Sequence, residues 1–187
     1  MKIACITVFC NELFRLDNWK RYYSEYKDDI ALHVIVNNGN LQDSFLLKSS
    51  FPESIVLDSP GGNLLKAYNL GTEYVLNDKD VDAIMQITND VKFKPGSIQL
   101  LYNELFSDTR LAVVGPILLA KDSDIVEVFG IDVSRNNLVA GNQRFPFKGK
   151  RYSQVSVERR KVAYVSAGVI MQKRSVIEKM GYQDEYH

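Results

Sequence analysis

The chain has 187 residues, of which 45% are hydrophobic and 25% charged, a balance typical of one globular domain with its own core. Its 23 Lys and Arg residues offset its 23 Asp and Glu residues, so the formal net charge is zero and nothing supports nucleic-acid binding. The sequence has no apolar run of membrane-spanning length and no signal-peptide pattern, and its two close cysteines, Cys5 and Cys10, form no disulfide framework, so a cytoplasmic protein is expected.

Four short apolar runs in the first half of the chain predict buried strands, at residues 2–9, 31–36, 54–57 and 82–87. Apolar residues at helical spacing predict helices over residues 11–26 and 62–76. A further helix is predicted to open at Pro95, which suits the first turn of a helix. Because strands and helices alternate, we expect an α/β domain with a mostly parallel central sheet flanked by helices.

The second half of the chain has a different pattern. Residues 111–119 predict two strands around a proline, and residues 125–139 predict strands joined by a hairpin turn. A long loop is expected over residues 143–160, followed by a strand over 161–171 and a helix over 174–180. The hairpin turn is predicted at Asn136-Asn137. We therefore expect a single domain over residues 1–187, with a first half at 1–110 and a smaller, antiparallel second half at 111–187.

Turn-forming and polar residues follow each of the four predicted parallel strands, in the segments 10–12, 37–40, 58–63 and 88–90. The carboxyl ends of parallel strands lie side by side, and ligands of open α/β sheets bind in the crevice outside them. Gly61 and Gly62 allow the backbone to approach a ligand closely, and a helix that starts behind them suits an anion. Ordinary turn chemistry is the alternative interpretation of each segment taken alone.

Asp90 is the most informative residue of these segments. The apolar run at residues 83–87 leads directly into Thr88-Asn89-Asp90, so a carboxylate stands at the end of a buried strand. A carboxylate in that position is well placed to bind a hard metal ion, and the metal can in turn hold a diphosphate.

The order and spacing of these motifs resemble those of the inverting, nucleotide-sugar-dependent glycosyltransferases with the GT-A fold, especially their rhamnosyltransferase-like bacterial members. The resemblance rests on residues 6–11, 36–40, 61–63, 88–96 and 165–185. It implies a GT-A-like domain whose first half binds the nucleotide-diphospho-sugar and whose second half faces the acceptor. It also implies transfer of the sugar to a hydroxyl of a glycan or lipid-linked glycan, with inversion, in the cytoplasm or at the inner face of the membrane.

By the same resemblance, six residues bind the nucleotide-sugar and one holds a metal. The nucleotide-sugar residues are Asn11, Asn37, Gly39, Gly62, Asn63 and Asn89. The first three are expected to line the nucleoside pocket, and the next two to lie near the ribose or the diphosphate. Asp90 is expected to bind Mg²⁺ or Mn²⁺.

The chain departs from the family pattern at the nucleobase and at the catalytic base. Asn37 stands where the family usually has an aspartate that contacts the nucleobase, and Asp90 is the only carboxylate of its metal motif. The sequence ends at His187, before the helix that carries the general base in the family. Asp184 and Glu185 are the candidate substitutes, with solvated surface charges as the alternative interpretation.

Other interpretations stay open at this point. The chain can be a truncated, catalytically inactive domain that binds a nucleotide-sugar. A nucleotidyltransferase is a third interpretation, although the glycine-rich, basic loop of that class is absent between Val8 and Trp19. Basic residues over 144–160 indicate a solvated loop or peripheral contact with an anionic membrane. His33 lies inside a predicted strand, so core packing is expected rather than metal ligation.

Overall fold

The computed structural model of the chain describes residues 1–77, 80–133, 143–155 and 159–184. The strands, in chain order, are β1 (Ile3–Phe9), β2 (Leu32–Asn37), β3 (Ile55–Asp58), β4 (Ala83–Thr88), β5 (Val113–Val114), β6 (Leu118–Leu119), β7 (Val126–Val128), β8 (Asp132–Val133), β9 (Gln143–Arg144) and β10 (Val169–Lys173). The helices are α1 (Leu16–Tyr26), α2 (Asp43–Ser50), α3 (Leu64–Leu76), α4 (Ser97–Phe106) and α5 (Arg174–Met180).

A six-stranded sheet in the order β3-β2-β1-β4-β10-β5 forms the centre of the fold. The first four strands of the chain are parallel neighbours in it, which confirms the mostly parallel α/β architecture. Strand β10 runs antiparallel to both β4 and β5, and it returns the second half of the chain to the central sheet. Two short antiparallel pairs, β6-β7 and β8-β9, lie outside this sheet.

Helices cover both faces of the sheet because each buried strand is apolar on both sides. One core cluster joins Cys5 and Phe9 of β1 to α1 and α4, and Trp19 at its centre is fully buried. The other cluster joins Ile6 and Val8 to α3 and α5. Burying a large apolar side chain contributes roughly 1.5–3 kcal/mol to the free energy of folding. The two clusters therefore hold the helices firmly against the two faces of the sheet. The aromatic residues Trp19, Tyr23 and Tyr26 of α1 are all buried in the first cluster.

His33 is a core residue, as its place in a strand predicted. Its ring lies 4.4 Å from the ring of Tyr23, centroid to centroid. Its Nε2 is 3.2 Å from Oγ1 of Thr7, and its Nδ1 is 2.7 Å from Oγ of Ser54. Burial lowers the pKa of His33 from 6.5 to about 3, so the ring is neutral at physiological pH.

Several predicted elements differ from those observed. Helix α2 was not predicted, because its Phe45 and Leu46 are exposed and give the segment little amphipathic pattern. The strand expected over 161–171 is β10, which begins only at Val169, and the loop expected over 143–160 includes β9. The helix at 174–180 is confirmed. The turn expected at Asn136-Asn137 lies outside the described residues.

None of the helices in the described ranges combines the length and the apolar character that crossing a bilayer requires.

Candidate functional site

The carboxyl ends of the four parallel strands meet at one edge of the sheet. The backbone N–H of Asn38, just after β2, donates to the carbonyl of Phe9 at the end of β1, at 2.7 Å. The N–H of Ser59, just after β3, donates to the carbonyl of Asn37, at 2.8 Å. Because β1 also pairs with β4 up to Thr88, the predicted segments lie side by side along one edge of the sheet, where the crevice of such folds is expected.

Asp90 stands at the end of β4 and is held by two donors. Its Oδ1 accepts from the hydroxyl of Thr88 at 2.8 Å, and its Oδ2 accepts from Nη1 of Arg15 at 2.6 Å. Partial burial works to raise the pKa of Asp90, but the bonds from Thr88 and Arg15 outweigh it, so the pKa lies below its ordinary value of 3.8. The carboxylate is therefore ionised at neutral pH.

Glu12, in the segment that follows β1, extends this cluster. Its Oε1 lies 3.4 Å from Nε of Arg15, and its Oε2 accepts from the side-chain amide of Asn89 at 2.9 Å. Two carboxylates, Glu12 and Asp90, thus share one guanidinium, which leaves a net negative charge at the end of β1 and β4. Asn89 is 3% exposed, and its amide supports Glu12.

The donor set fits a divalent cation that arrives together with phosphate oxygens. Carboxylate oxygens are the ligands that Mg²⁺ and Mn²⁺ prefer, and Mg²⁺ sites commonly combine one or two carboxylates with substrate phosphates. Within the described part of the chain, no group of three His, Cys, Asp or Glu side chains could hold a metal without such help. Asp90 is the residue that would hold the cation, with Arg15 displaced from Oδ2.

Asn37 lies at the end of β2 with its side chain turned into the protein. The residue is 1% exposed. Its amide nitrogen lies 2.8 Å from the carbonyl of Asn40, 3.0 Å from Oγ of Ser44 and 3.0 Å from Oδ1 of Asp58, so its two hydrogens are shared among these three acceptors. Its amide oxygen accepts from the N–H of Gly39 at 3.2 Å. The amide therefore ties together the turn after β2, helix α2 and the end of β3.

Asn11 and Gly39 pack against each other between the ends of β1 and β2. Asn11 adopts a positive φ of 55°, and its side-chain oxygen accepts from the N–H of Asn40 at 3.2 Å. A Cβ on Gly39 would lie 2.5 Å from that same oxygen and 2.7 Å from the backbone nitrogen of Asn11. The turn therefore requires glycine at position 39, and the two predicted nucleoside residues are in contact.

The glycine pair and Asn63 lead into helix α3. Gly61 and Gly62 both have a positive φ, of 122° and 74°, which other residues rarely adopt. Asn63 is the N-cap of α3, and its Oδ1 accepts from the N–H of Lys66 at 3.0 Å. The helix thus begins at the edge of the sheet where β3 ends, and the N-terminal end of its dipole lies there.

The last described residues of the chain are fixed to α3 and β4. Asn69 donates to the carbonyl of Gln183 at 2.8 Å and accepts from its N–H at 3.0 Å. The side-chain nitrogen of Gln183 donates to Oε1 of Gln86 at 2.8 Å. Asp184 follows this anchored residue, whereas Glu185, the second candidate base, lies outside the described residues.

Sequence reasoning missed three residues of the crevice. Arg15 and Glu12 were not recognised because their partners, Asp90 and Asn89, are 75 and 77 positions away along the chain. Asp58 was seen only as a turn residue. The one available signal was its position directly after an apolar run, which it shares with the residues that were recognised.

Comparison with known proteins supports the fold. A mannosyltransferase from Pyrobaculum calidifontis, solved with GDP-Man and Mn²⁺, superposes with a TM-score of 0.62 at 10% identity, over 98% of this chain and 48% of its own. A Drosophila beta-1,4-galactosyltransferase 7 mutant, solved with manganese, UDP-Gal and xylobiose, gives 0.50 at 15% identity, over 100% and 54%. A 4-diphosphocytidyl-2C-methyl-D-erythritol synthase from Anaerococcus prevotii gives 0.54 at 11% identity, over 95% and 72%.

Because all three sequence identities are low, these similarities establish the fold alone, which is GT-A-like. The chain spans about half the length of the two sugar transferases that it matches. No family model matches the chain, and no curated protein matches its sequence.

Proposed function

We propose that this chain binds a nucleotide-diphospho-sugar in the crevice at the carboxyl ends of β1–β4 and transfers the sugar to a glycan or lipid-linked glycan hydroxyl. The observation that carries the proposal is the position of Asp90, an ionised carboxylate at the end of the central strand β4 in a GT-A-like fold. Two proteins of similar fold were solved with a nucleotide-sugar and manganese, which supports the same class of donor here.

Different residues of the crevice bind different parts of the nucleotide-sugar donor. Asn11, Gly39 and the turn after β2 form the nucleoside end, and Gly62 and Asn63 place the start of α3 beside the diphosphate. Asp90, with Glu12 and Asn89 behind it, holds Mg²⁺ or Mn²⁺. When bound, the metal stabilises the charge of the departing diphosphate as a Lewis acid. Arg15, once released from Asp90, is a second cation within reach of that charge.

Transfer with inversion needs a base that accepts the proton of the acceptor hydroxyl while its oxygen attacks the sugar carbon and the bond to the diphosphate breaks. Asp184 is the candidate in the described part of the chain, because hydrogen bonds between Gln183 and both Asn69 and Gln86 fix the residue before it. Asp184→Asn is expected to abolish transfer and to leave nucleotide binding unchanged. Loss of binding in that variant would assign Asp184 to the donor site.

Calorimetry with UDP, GDP, CDP and dTDP, each with and without Mn²⁺, tests the proposal. We expect metal-dependent binding of at least one nucleotide, reduced about tenfold or more in Asp90→Asn. Asp17→Asn, an exposed carboxylate on α1, is the matched control and should bind as the unaltered protein does. Absence of binding by every nucleotide rejects the proposed function, and equal binding by Asp90→Asn rejects the metal role of Asp90.

Nucleotidyl transfer is the second candidate function. It is favoured by the match to the diphosphocytidyl synthase, which extends over 72% of that protein. Incubation with each nucleoside triphosphate and a sugar phosphate distinguishes the two, because only nucleotidyl transfer releases pyrophosphate. Nucleotide-sugar binding with neither reaction would identify a binding domain that is catalytically inactive.

A further inference from the structure

Asp58 is an exposed carboxylate at the nucleoside end of the crevice that the donor-binding scheme leaves without a role. It is the last residue of β3 and lies opposite Asn37 in the parallel pairing of β2 and β3. The bond from the N–H of Ser59 to the carbonyl of Asn37 continues the pairing just beyond it. The backbone of Asp58 is therefore fixed beside the turn that forms the nucleoside end.

One oxygen of Asp58 is saturated by its neighbours. Its Oδ1 accepts from the amide of Asn37 at 3.0 Å and from the hydroxyl of Ser44, the second residue of α2. A carboxylate oxygen has two lone pairs, so these two donors occupy it fully. No donor from the described segments contacts Oδ2 of Asp58, and the residue is exposed, which leaves this oxygen as an acceptor beside the turn after β2.

Asn37 and Ser44 are thus positioning residues, and Asp58 is the group that can contact a ligand. The buried amide of Asn37 has its donors and its acceptor engaged within the protein. An aspartate at position 37 would place a second negative charge next to Asp58. The asparagine found there instead holds the carboxylate of the neighbouring strand, so the acidic group stands one strand further along the sheet.

We propose that Oδ2 of Asp58 accepts the ring N3–H of a uracil or thymine, and so selects uridine or thymidine diphosphate as the nucleotide of the donor. This inference rests on the proposed function. A single free acceptor matches the single imino donor of these bases. Cytosine and adenine present an unprotonated ring nitrogen at the corresponding position, which a carboxylate repels. Guanine presents two parallel donors, which a carboxylate binds through both of its oxygens, and Oδ1 of Asp58 is already occupied by Asn37 and Ser44.

Replacing Asp58 by asparagine gives a specific test. Asn37 and Ser44 both donate, so they hold the amide oxygen of the new residue at the Oδ1 position. The NH₂ group then takes the place of Oδ2 and presents a donor where an acceptor stood. Asp58→Asn is therefore expected to reject uracil and to favour cytosine, whose N3 accepts a hydrogen bond.

The experiment is calorimetry of UDP, dTDP, CDP, GDP and ADP in the presence of Mn²⁺. The unaltered protein should bind UDP and dTDP at least tenfold more tightly than the other three. Asp58→Asn should weaken UDP binding by about 10- to 100-fold and bring CDP to equal or greater affinity than UDP. Glu53→Gln, an exposed residue before the amino end of the same strand, is the matched control and should leave the ranking unchanged.

Ser44→Ala provides a second variant that keeps the charge of Asp58. It removes one of the two supporting donors, so we expect a smaller loss, confined to UDP and dTDP. Thermal unfolding of each variant verifies that it folds. An unaltered ranking in both Asp58→Asn and Ser44→Ala, or preference for a purine nucleotide in the unaltered protein, overturns this inference alone. No binding by any of the five nucleotides rejects the proposed function together with it.

Discussion

Nη1 of Arg15 lies 2.6 Å from Oδ2 of Asp90, and this ion pair joins the segment after β1 to the end of β4. The two residues are 75 positions apart in the sequence. The guanidinium stands at the oxygen through which Asp90 is proposed to hold a divalent cation. A metal ion bound as proposed would therefore compete with Arg15 for one oxygen, so its binding free energy would have to exceed that of the ion pair.

Replacing Arg15 by alanine is predicted to raise the pKa of Asp90. Partial burial works to raise this pKa, whereas the bonds from Thr88 and Arg15 lower it, so removing the guanidinium leaves burial less opposed. The measurement is a titration of the Asp90 carboxyl carbon by NMR. Arg21→Ala, on the exposed side of α1, is the control, and its Asp90 midpoint should match that of the unaltered protein. An unshifted midpoint in Arg15→Ala would contradict the pairing.

The buried ring of His33 predicts a loss of stability in mild acid. Burial lowers its pKa from 6.5 to about 3 in the folded protein, so the unfolded chain takes up the proton first. The stabilisation is complete above pH 6.5 and is lost as the pH falls from 6.5 towards 3, at up to about 1.4 kcal/mol per pH unit.

Urea unfolding at several pH values between 7 and 5 measures this dependence on His33. His33→Phe keeps an aromatic ring beside Tyr23 but cannot take up a proton, so its free energy of unfolding should fall less steeply with decreasing pH. Identical slopes for the two proteins would show that other groups cause the acid sensitivity.

Replacing Asn37 by aspartate, the residue usual at the corresponding position of the glycosyltransferases that the sequence resembles, is predicted to destabilise this protein. Asn37→Asp removes the donors to Asp58 and Ser44 and places a carboxylate at a buried position in contact with that of Asp58. We expect a loss of about 2–4 kcal/mol in the free energy of unfolding at pH 7, measured by urea unfolding.

The exchanged pair provides the control for Asn37→Asp. Combining it with Asp58→Asn restores one amide and one carboxylate at adjacent strand ends, so the double variant should be more stable than Asn37→Asp alone. A double variant that is less stable than the single one would show that the penalty does not come from repulsion between the two carboxylates.

Asn69 is predicted to control the anchoring of the last described segment. Asn69→Leu removes both hydrogen bonds to the backbone of Gln183, so the amide of Gln183 should exchange its hydrogen about tenfold faster or more. Asn69→Asp, which keeps the acceptor for that amide, should exchange at an intermediate rate. Equal rates in all three proteins would mean that the segment is held by other contacts.

The parallel part of the fold was predictable from the sequence because its strands are short apolar runs separated by amphipathic helices. Helix α2 was not, since its Phe45 is 81% exposed and its buried residues are few. The boundaries of β10 were also missed. The apolar pattern before Val169 continues through residues that form no described strand, although Tyr164 makes an isolated bridge with Ile131. The local sequence pattern identifies a strand, but the strand's boundaries depend on which residues pair with a neighbouring strand.

The candidate site was predictable in position but not in contacts. Asp90 could be recognised because a carboxylate directly follows a buried strand. Its partner Thr88 is two residues away, but its partner Arg15 is 75 positions away, and only the sheet order brings Arg15 there. The same holds for Asp58, whose role depends on its alignment with Asn37 in the neighbouring strand. The residue type indicates what a side chain can do chemically, and the topology of the sheet determines which side chains come into contact.

The reversed direction of β10 brings its leading loop, rather than its trailing one, to the rim of the crevice. The N–H of Thr88 donates to the carbonyl of Gly168 in that loop at 3.1 Å. The loop before β10 therefore lies beside the end of β4, although the two are some eighty residues apart in the sequence. Insertions ahead of Val169 can therefore reshape that rim without touching the ladder that aligns β1 to β4.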